Sequence, residues 1–162
     1  MKYRHIVFDW GNTLMEAPEN NNGSMAFWPS IKKVNFADSV LAKLSITAQC
    51  HIATNAEDSS ENEIRIALQR AGLEQYITHI FCFQKIGFKK PDDQYFQHII
   101  RSLESPLSDI VMIGNSLNDD IKGALNIGID AIWFNRNNEK QPKGINTIYS
   151  LDELLNNKLF YT

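Results

Sequence analysis

Short apolar runs recur along this chain, and between them apolar residues fall at helical spacing. The runs YRHIVF (3–8), CHIAT (50–54), ITHIFCF (77–83), IVMI (110–113), DAIWF (130–134) and TIY (147–149) read as strands. A run such as IVMI, apolar without alternation, suits a strand covered on both faces. Helices are expected over 30–45, through Ile31, Val34, Leu41 and Leu44, and over 118–126 and 151–159. Another follows Ser60-Glu61-Asn62-Glu63, a capping-box pattern, buries Ile64, Ala67, Leu68 and Ala71, and stops at Gly72. A further one starts at Asp92 or Asp93 and gathers Phe96, Ile99, Ile100 and Leu103 on one face. This alternation predicts an α/β fold: a three-layer sandwich with a mostly parallel sheet and helices on both faces. A chain of 162 residues fits a single domain over 1–162.

Charge excludes some classes of partner. Sixteen basic and 19 acidic residues leave a net −3, which makes no electrostatic case for nucleic acid or an acidic membrane. No run of apolar residues is long enough to span a bilayer, and MKYRHIVFDW lacks the apolar core of a signal peptide. Cys50 and Cys82 sit in apolar surroundings without a metal-binding spacing. They are expected to be buried free thiols, in keeping with a cytoplasmic protein.

In open parallel sheets the functional crevice lies beyond the carboxyl ends of the strands. That directs attention to Asp9, Thr54-Asn55, Lys90 and the stretch from Gly114 to Asp120. Each has an ordinary structural use. Asp9 could bind its own turn, Thr54 could finish a strand, and Lys90 could be a solvated charge. Asp119 and Asp120 could be first-turn carboxylates favoured by the helix dipole. Taken together they form a carboxylate, a hydroxyl, an ammonium and more carboxylates at successive strand ends. Such a set suits phosphoryl transfer: a carboxylate to attack phosphorus, a hydroxyl and an ammonium to hold the phosphoryl oxygens, and acidic groups to hold Mg²⁺.

Four segments in this order resemble the motifs of the haloacid dehalogenase superfamily of aspartate-nucleophile hydrolases. FDWGNTL (8–14) is similar to the first motif, IATN (52–55) to the second, IGFKKPDDQYF (86–96) to the third, and IGNSLNDDIKGALNIGI (113–129) to the fourth. The resemblance covers about residues 4–156 and implies a Rossmann-like core, Mg²⁺ as cofactor and phosphatase activity. Carried onto this chain, it implies Asp9 as nucleophile and metal ligand, with the Gly11 carbonyl, Asn115 and Asp120 completing the metal shell. It also implies Thr54, Asn55 and Lys90 as the groups that bind the phosphoryl oxygens.

Two positions depart from the family pattern. Phosphatase members carry an aspartate two residues after the nucleophile, as general acid and base. Here Gly11 stands there. General acid–base catalysis is typically worth about a hundred- to ten-thousand-fold in rate. Glu16, Glu57 and Asp58 lie in loops near the motifs and could substitute, but the sequence does not select among them. The second departure is Asn115, where the fourth motif usually has a metal-binding aspartate. An amide oxygen still coordinates Mg²⁺ but brings no charge, so weaker binding is expected. Asp120, with Asp119 beside it, occupies the place of the second acidic residue.

Once the turn residues 10–13 are set aside, only residues 14–53 separate Asp9 from Thr54, and only 55–89 lie between Thr54 and Lys90. Neither interval has room for a large cap domain. An open site suits a large substrate, such as an exposed phosphate on a protein or polymer, or a lid supplied by another subunit in a homo-oligomer; a phosphorylated small molecule is the other expected substrate. Met25, Phe27 and Trp28 form an apolar cluster that could pack on the core or serve as a small lid or subunit contact. The expected function is Mg²⁺-dependent phosphate-ester hydrolysis through an aspartyl-phosphate at Asp9. The alternative is a degenerate member that binds a phosphorylated ligand or a protein partner without turnover.

Overall fold

A computed structural model describes residues 1–161. Its centre is a six-stranded sheet of β1 (His5–Phe8), β2 (Gln49–Ala53), β3 (Ile77–Phe81), β4 (Ile110–Gly114), β5 (Asp130–Phe134) and β6 (Asn146–Ile148). All neighbouring strands pair in parallel, in the order β3-β2-β1-β4-β5-β6. The chain winds outward from β1 to β3, then crosses back to lay β4 on the other side of β1. Val7 therefore lies opposite His51 of β2 and Met112 of β4. Ligand crevices in doubly wound sheets form where the strand order reverses in this way, here beyond β1 and β4.

Helices cover both faces, as the alternation of apolar runs predicts. Ile6, Phe8, Ile52, Val111 and Ile113 turn to one layer, with α1 (Ala37–Leu44) and α2 (Glu61–Ala71). Val7, Ala53, Met112 and Trp133 turn to the other, with α4 (Asp93–Leu103) and α5 (Gly123–Asn126). The start of α2 is held as its sequence predicts: Ser60 N–H donates to the Glu63 carboxylate at 2.8 Å and Glu63 N–H to Ser60 Oγ at 3.2 Å. Asp92 caps α4 by accepting from Gln94 N–H at 2.8 Å. Cys50 and Cys82 are buried free thiols, and burial pushes the Cys50 thiol up to about 12. No helix among the described residues is long and apolar enough to cross a membrane.

Three expected helices are altered. Residues 30–36 do not join α1, because this segment pairs with the first-motif turn instead. Met15 bridges Lys33, Glu16 N–H donates to Lys32 O at 2.8 Å, and Val34 N–H to Leu14 O at 2.9 Å. Val34 is buried by that pairing rather than by helical periodicity. Residues 118–126 divide into a π-helical turn over Leu117–Lys122 and the short α5. The 151–159 segment is two 3₁₀ turns, Leu151–Asn156 and Lys158–Phe160, separated by an extended Asn157. A short α3 (Phe83–Ile86) follows β3, where a longer strand was expected. The interval between Asp9 and Thr54 holds loop, a 3₁₀ turn (Met25–Phe27), α1 and β2, and that between Thr54 and Lys90 holds α2, β3 and α3, with a 3₁₀ turn ahead of β3.

Candidate active site

Asp9 directly follows β1 and extends the sheet by one bond, its N–H donating to Ile113 O at 2.8 Å. The chain then turns sharply. Trp10 O accepts from the N–H groups of Thr13, Leu14 and Met15, and Asn12 adopts a left-handed φ of 60°. Asparagine tolerates that conformation, and its Oδ1 accepts from Ala17 N–H at 3.0 Å, which closes the loop. The turn brings Thr13 back over the strand end. Its Oγ1 lies 2.9 Å from Asp9 Oδ2 and 3.3 Å from Asn115 Oδ1.

Lys90 arrives from the loop between α3 and α4 and is nearly sealed from solvent, at 4% exposure. Its ammonium has three hydrogens and meets three acceptors. These are Asp120 Oδ1 at 2.6 Å, Ala53 O at 2.6 Å and Asp9 Oδ1 at 3.0 Å. Burial opposes the ammonium charge, but Asp120 and Asp9 more than offset it, so the lysine pKa is raised. The same burial, with the nearby Asp9 charge, pushes the Asp120 carboxyl upward.

Asn55 lies beside Thr54 at the site, but its side chain is engaged with the protein. Its side-chain amide grips the Lys90 main chain on both sides, donating Nδ2–H to Lys90 O at 2.9 Å and accepting Lys90 N–H at 2.8 Å on Oδ1. Both ends of that amide are therefore committed to placing the lysine. Thr54 is buried beside it, with Oγ1 accepting from Ala56 N–H at 3.1 Å and its own hydroxyl hydrogen free to donate.

Asp120 sits in the π-helical turn after β4. Its second oxygen accepts from Ser116 N–H at 3.0 Å. Gly114 makes room for this carboxylate: a Cβ there would lie 2.2 Å from Asp120 Oδ2. Asp119 turns away from the cluster, its carboxylate accepting from Asn118 Nδ2 at 3.0 Å.

The structure thus gathers Asp9, Thr54, Lys90, Asn115 and Asp120 beyond the ends of β1, β2 and β4. Two residues of the cluster escaped the sequence reading. Thr13 lies inside the quoted first motif, and only the winding of the turn brings its hydroxyl onto Asp9. Tyr95, fully buried on α4, donates its hydroxyl to Phe81 O at 2.7 Å, with Thr54 O 3.2 Å away. Its position just ahead of the apolar face of α4 gave no sign of this role.

A cavity of about 330 Å³ opens over the cluster. Asp9, Gly11 and Thr54 face it, and Ala17, Pro18 and Trp28 form part of its wall. The Met25–Phe27–Trp28 cluster divides. Met25 is buried against the core, Phe27 is 70% exposed, and Trp28 reaches the cavity with Nε1 donating to Asn22 O and Gly23 O at 3.1 Å each. A side chain at position 11 would be crowded, because a Cβ there would meet Ala17 Cβ at 3.3 Å. The three loop carboxylates also differ. Glu16 pairs with Arg136 at 2.9 Å, Glu57 pairs with Lys89 at 2.6 Å, and Asp58 lines the cavity.

The donor set fits Mg²⁺. All the oxygens are hard, and Thr13 Oγ1 lies within 3.3 Å of both Asp9 Oδ2 and Asn115 Oδ1, so those two donors are close together. Among the described residues no group of three or more His, Cys, Asp or Glu side chains forms a cage.

Comparison with known proteins bears on this arrangement. The haloacid dehalogenase-like hydrolase family matches residues 8–134, most of the chain and all four motifs. The chain belongs to that family. It is 30% identical over 122 residues to the pyrimidine 5'-nucleotidase YjjG of Escherichia coli (strain K12), covering 73% of this chain and 53% of that protein. The chain spans about half the length of that relative. Its fold matches an uncharacterized protein from Listeria monocytogenes serotype 4b, with a TM-score of 0.85, 24% identity and coverage of 96% and 97% of the two chains. It also matches the HAD-hydrolase YfnB from Bacillus subtilis bound to magnesium, with a TM-score of 0.79, 18% identity and coverage of 96% and 98%.

Proposed function

We propose that this chain is a single, capless hydrolase domain that cleaves phosphate monoesters with Asp9 as nucleophile. The observation that carries the reading is the buried Lys90 ammonium bridging Asp9 and Asp120 beside Thr54, under an open cavity. A carboxylate held at a strand end by a buried ammonium, facing solvent on one side only, is placed to attack phosphorus. Lys90 holds that carboxylate in orientation, and the Thr54 hydroxyl hydrogen is available to a phosphoryl oxygen. Asn55 keeps the lysine in place through its main chain.

Asp9, Asn115, Asp120 and the Gly11 carbonyl are the groups that would hold Mg²⁺. When bound, Mg²⁺ offsets the repulsion between the Asp9 carboxylate and an anionic substrate. The magnesium-bound YfnB neighbour supports this choice of ion, and the nucleotidase relative makes a nucleoside monophosphate the first natural substrate to try.

Gly11 and Asn115 favour a second reading, a site that binds a phosphorylated ligand without turning it over. Phosphate release from p-nitrophenyl phosphate and acetyl phosphate, with Mg²⁺ or with a chelator, separates the two. Hydrolysis predicts Mg²⁺-dependent release that Asp9→Asn abolishes. Absence of release by the wild type on both substrates would instead support the binder.

A further inference from the structure

A hydrolase with glycine at position 11 lacks the side chain to which the family resemblance assigns general acid and base work, and the loops around the site offer three carboxylates. We infer that Asp58 takes that role, an assignment that rests on the hydrolase reading above. Glu16 is held by Arg136 at 2.9 Å and Glu57 by Lys89 at 2.6 Å, so both are neutralised by ion pairs of their own. Asp58 has no basic partner among the described residues and lines the same cavity as Asp9, Gly11 and Thr54. It is also exposed, so water reaches it.

Its orientation is set from the protein side. Ser59 is buried, with Oγ 3.3 Å from Asp58 Oδ1 and 3.1 Å from Ser24 Oγ. Ser24 already accepts from Ala26 N–H, so its hydroxyl is free to donate to Ser59, and the Ser59 hydroxyl to Asp58. A row of two buried hydroxyls thus braces one oxygen of the carboxyl of a residue that lines the cavity. The crowding of position 11 against Ala17 agrees with a role moved to another loop.

The chemistry balances in two steps. An Asp9 oxygen forms a bond to phosphorus while the ester P–O bond breaks, and the Asp58 carboxyl proton passes to the departing alkoxide to give the alcohol. Asp58, now a carboxylate, takes a proton from water as the water oxygen attacks phosphorus. The acyl-phosphate P–O bond then breaks, which returns Asp9 and releases inorganic phosphate. The net change consumes one water per ester.

The test compares wild type with Asp58→Asn, Asp58→Glu, Glu16→Gln and Glu57→Gln in Mg²⁺. Turnover is followed on p-nitrophenyl phosphate and on an alkyl phosphate, and intact mass is recorded after mixing with acetyl phosphate. Asp58→Asn is expected to lose about a hundred- to ten-thousand-fold in kcat, with the larger loss on the alkyl ester, whose leaving group needs the proton more. It is expected to retain a phosphoryl group on Asp9 after acetyl phosphate, because that leaving group needs no acid while hydrolysis of the intermediate still needs the base. Asp58→Glu should recover part of the rate, and the two Glu→Gln variants should match wild type. Wild-type turnover that depends on Asp9, with Asp58→Asn within about twofold of it, would overturn the assignment to Asp58 alone. A wild type that neither releases phosphate nor becomes phosphorylated at Asp9 would overturn the hydrolase reading and this assignment with it.

Discussion

Lys90 and His51 are both buried basic side chains on the α4 face of the sheet, and they are accommodated by opposite means. Lys90 lies against the carbonyl of Ala53, two residues beyond His51 on β2, and keeps its charge because Asp9 and Asp120 meet it. His51 stacks between His5 and His79 at 5.3 and 5.2 Å, and no carboxylate among the described residues partners it. Its Nε2 lies 3.1 Å from His5 Nδ1, His5 Nε2 lies 2.9 Å from Ser105 Oγ, and His51 Nδ1 has no partner among the described residues. Burial, with the charges of His5 and His79 adding to it, brings the His51 pKa down to about 3. His51 is therefore neutral. A proton relay running from His51 Nε2–H to His5 and on to Ser105 leaves only a bare lone pair at Nδ1, which costs less than a buried N–H. The sheet thus holds a paired charge at its carboxyl ends and an uncharged His51 further back. What separates them is whether a carboxylate is in contact.

Removing one partner of the charged cluster should have the largest effect. Lys90→Met leaves Asp9 and Asp120 buried together without their cation. A loss of about 3–5 kcal/mol in urea unfolding is expected. Adding Asp120→Asn should restore part of it, a coupling that a double-mutant cycle measures. Phosphate release should fall to background in both. Next comes Gly114→Ala, which places a methyl group on Asp120. Overpacking of this kind costs about 1–3 kcal/mol, and turnover should drop with it because the carboxylate is displaced.

The histidine row should respond to pH instead. The unfolded chain takes up the His51 proton near 6.5, whereas the folded protein resists it down to about 3. Between those values the unfolded state binds more protons, so stability present above pH 6.5 is lost as pH falls. The slope from this residue is at most about 1.4 kcal/mol per pH unit. His51→Leu should flatten the urea midpoints between neutral and mildly acid pH. Asp120, shifted upward, acts with the opposite sign, so the quantity to compare is the difference between wild type and the variant. The smallest effect is expected at the exposed Lys33–Asp38 pair, 2.9 Å apart, where Asp38→Asn should change stability by under about 1 kcal/mol. A large loss there, or none at Lys90, would break the contrast between contact with a carboxylate in and out of water.

The sheet and the helices α2 and α4 were legible because apolar runs and periodic spacing report burial directly. IVMI could hardly be other than an interior strand, and Ser60–Glu63 capped its helix as written. The site was legible as residue types at strand ends. What stayed hidden was direction. Lys89 and Lys90 are identical in sequence, yet one reaches Glu57 in solvent and the other is sealed between two aspartates. Asn55 reads as a phosphate-facing residue until its amide is seen to be spent on the Lys90 main chain. Ile31 and Val34 supply a helical spacing by chance, because the partner that overrides it, Leu14 to Glu16, is remote in sequence. Thr13 and Tyr95 act through hydroxyls whose targets depend on the winding of a turn and the placement of α4.

The saturation of Lys90 has a consequence for how an anion enters. Every hydrogen of that ammonium is already engaged, so an arriving oxygen reaches it only by exchange, and measured affinity is the difference between newcomer and incumbent. A variant that weakens an incumbent, such as Asp9→Asn, is then the better trap: it should hold inorganic phosphate more tightly than the wild type while losing the power to react with it.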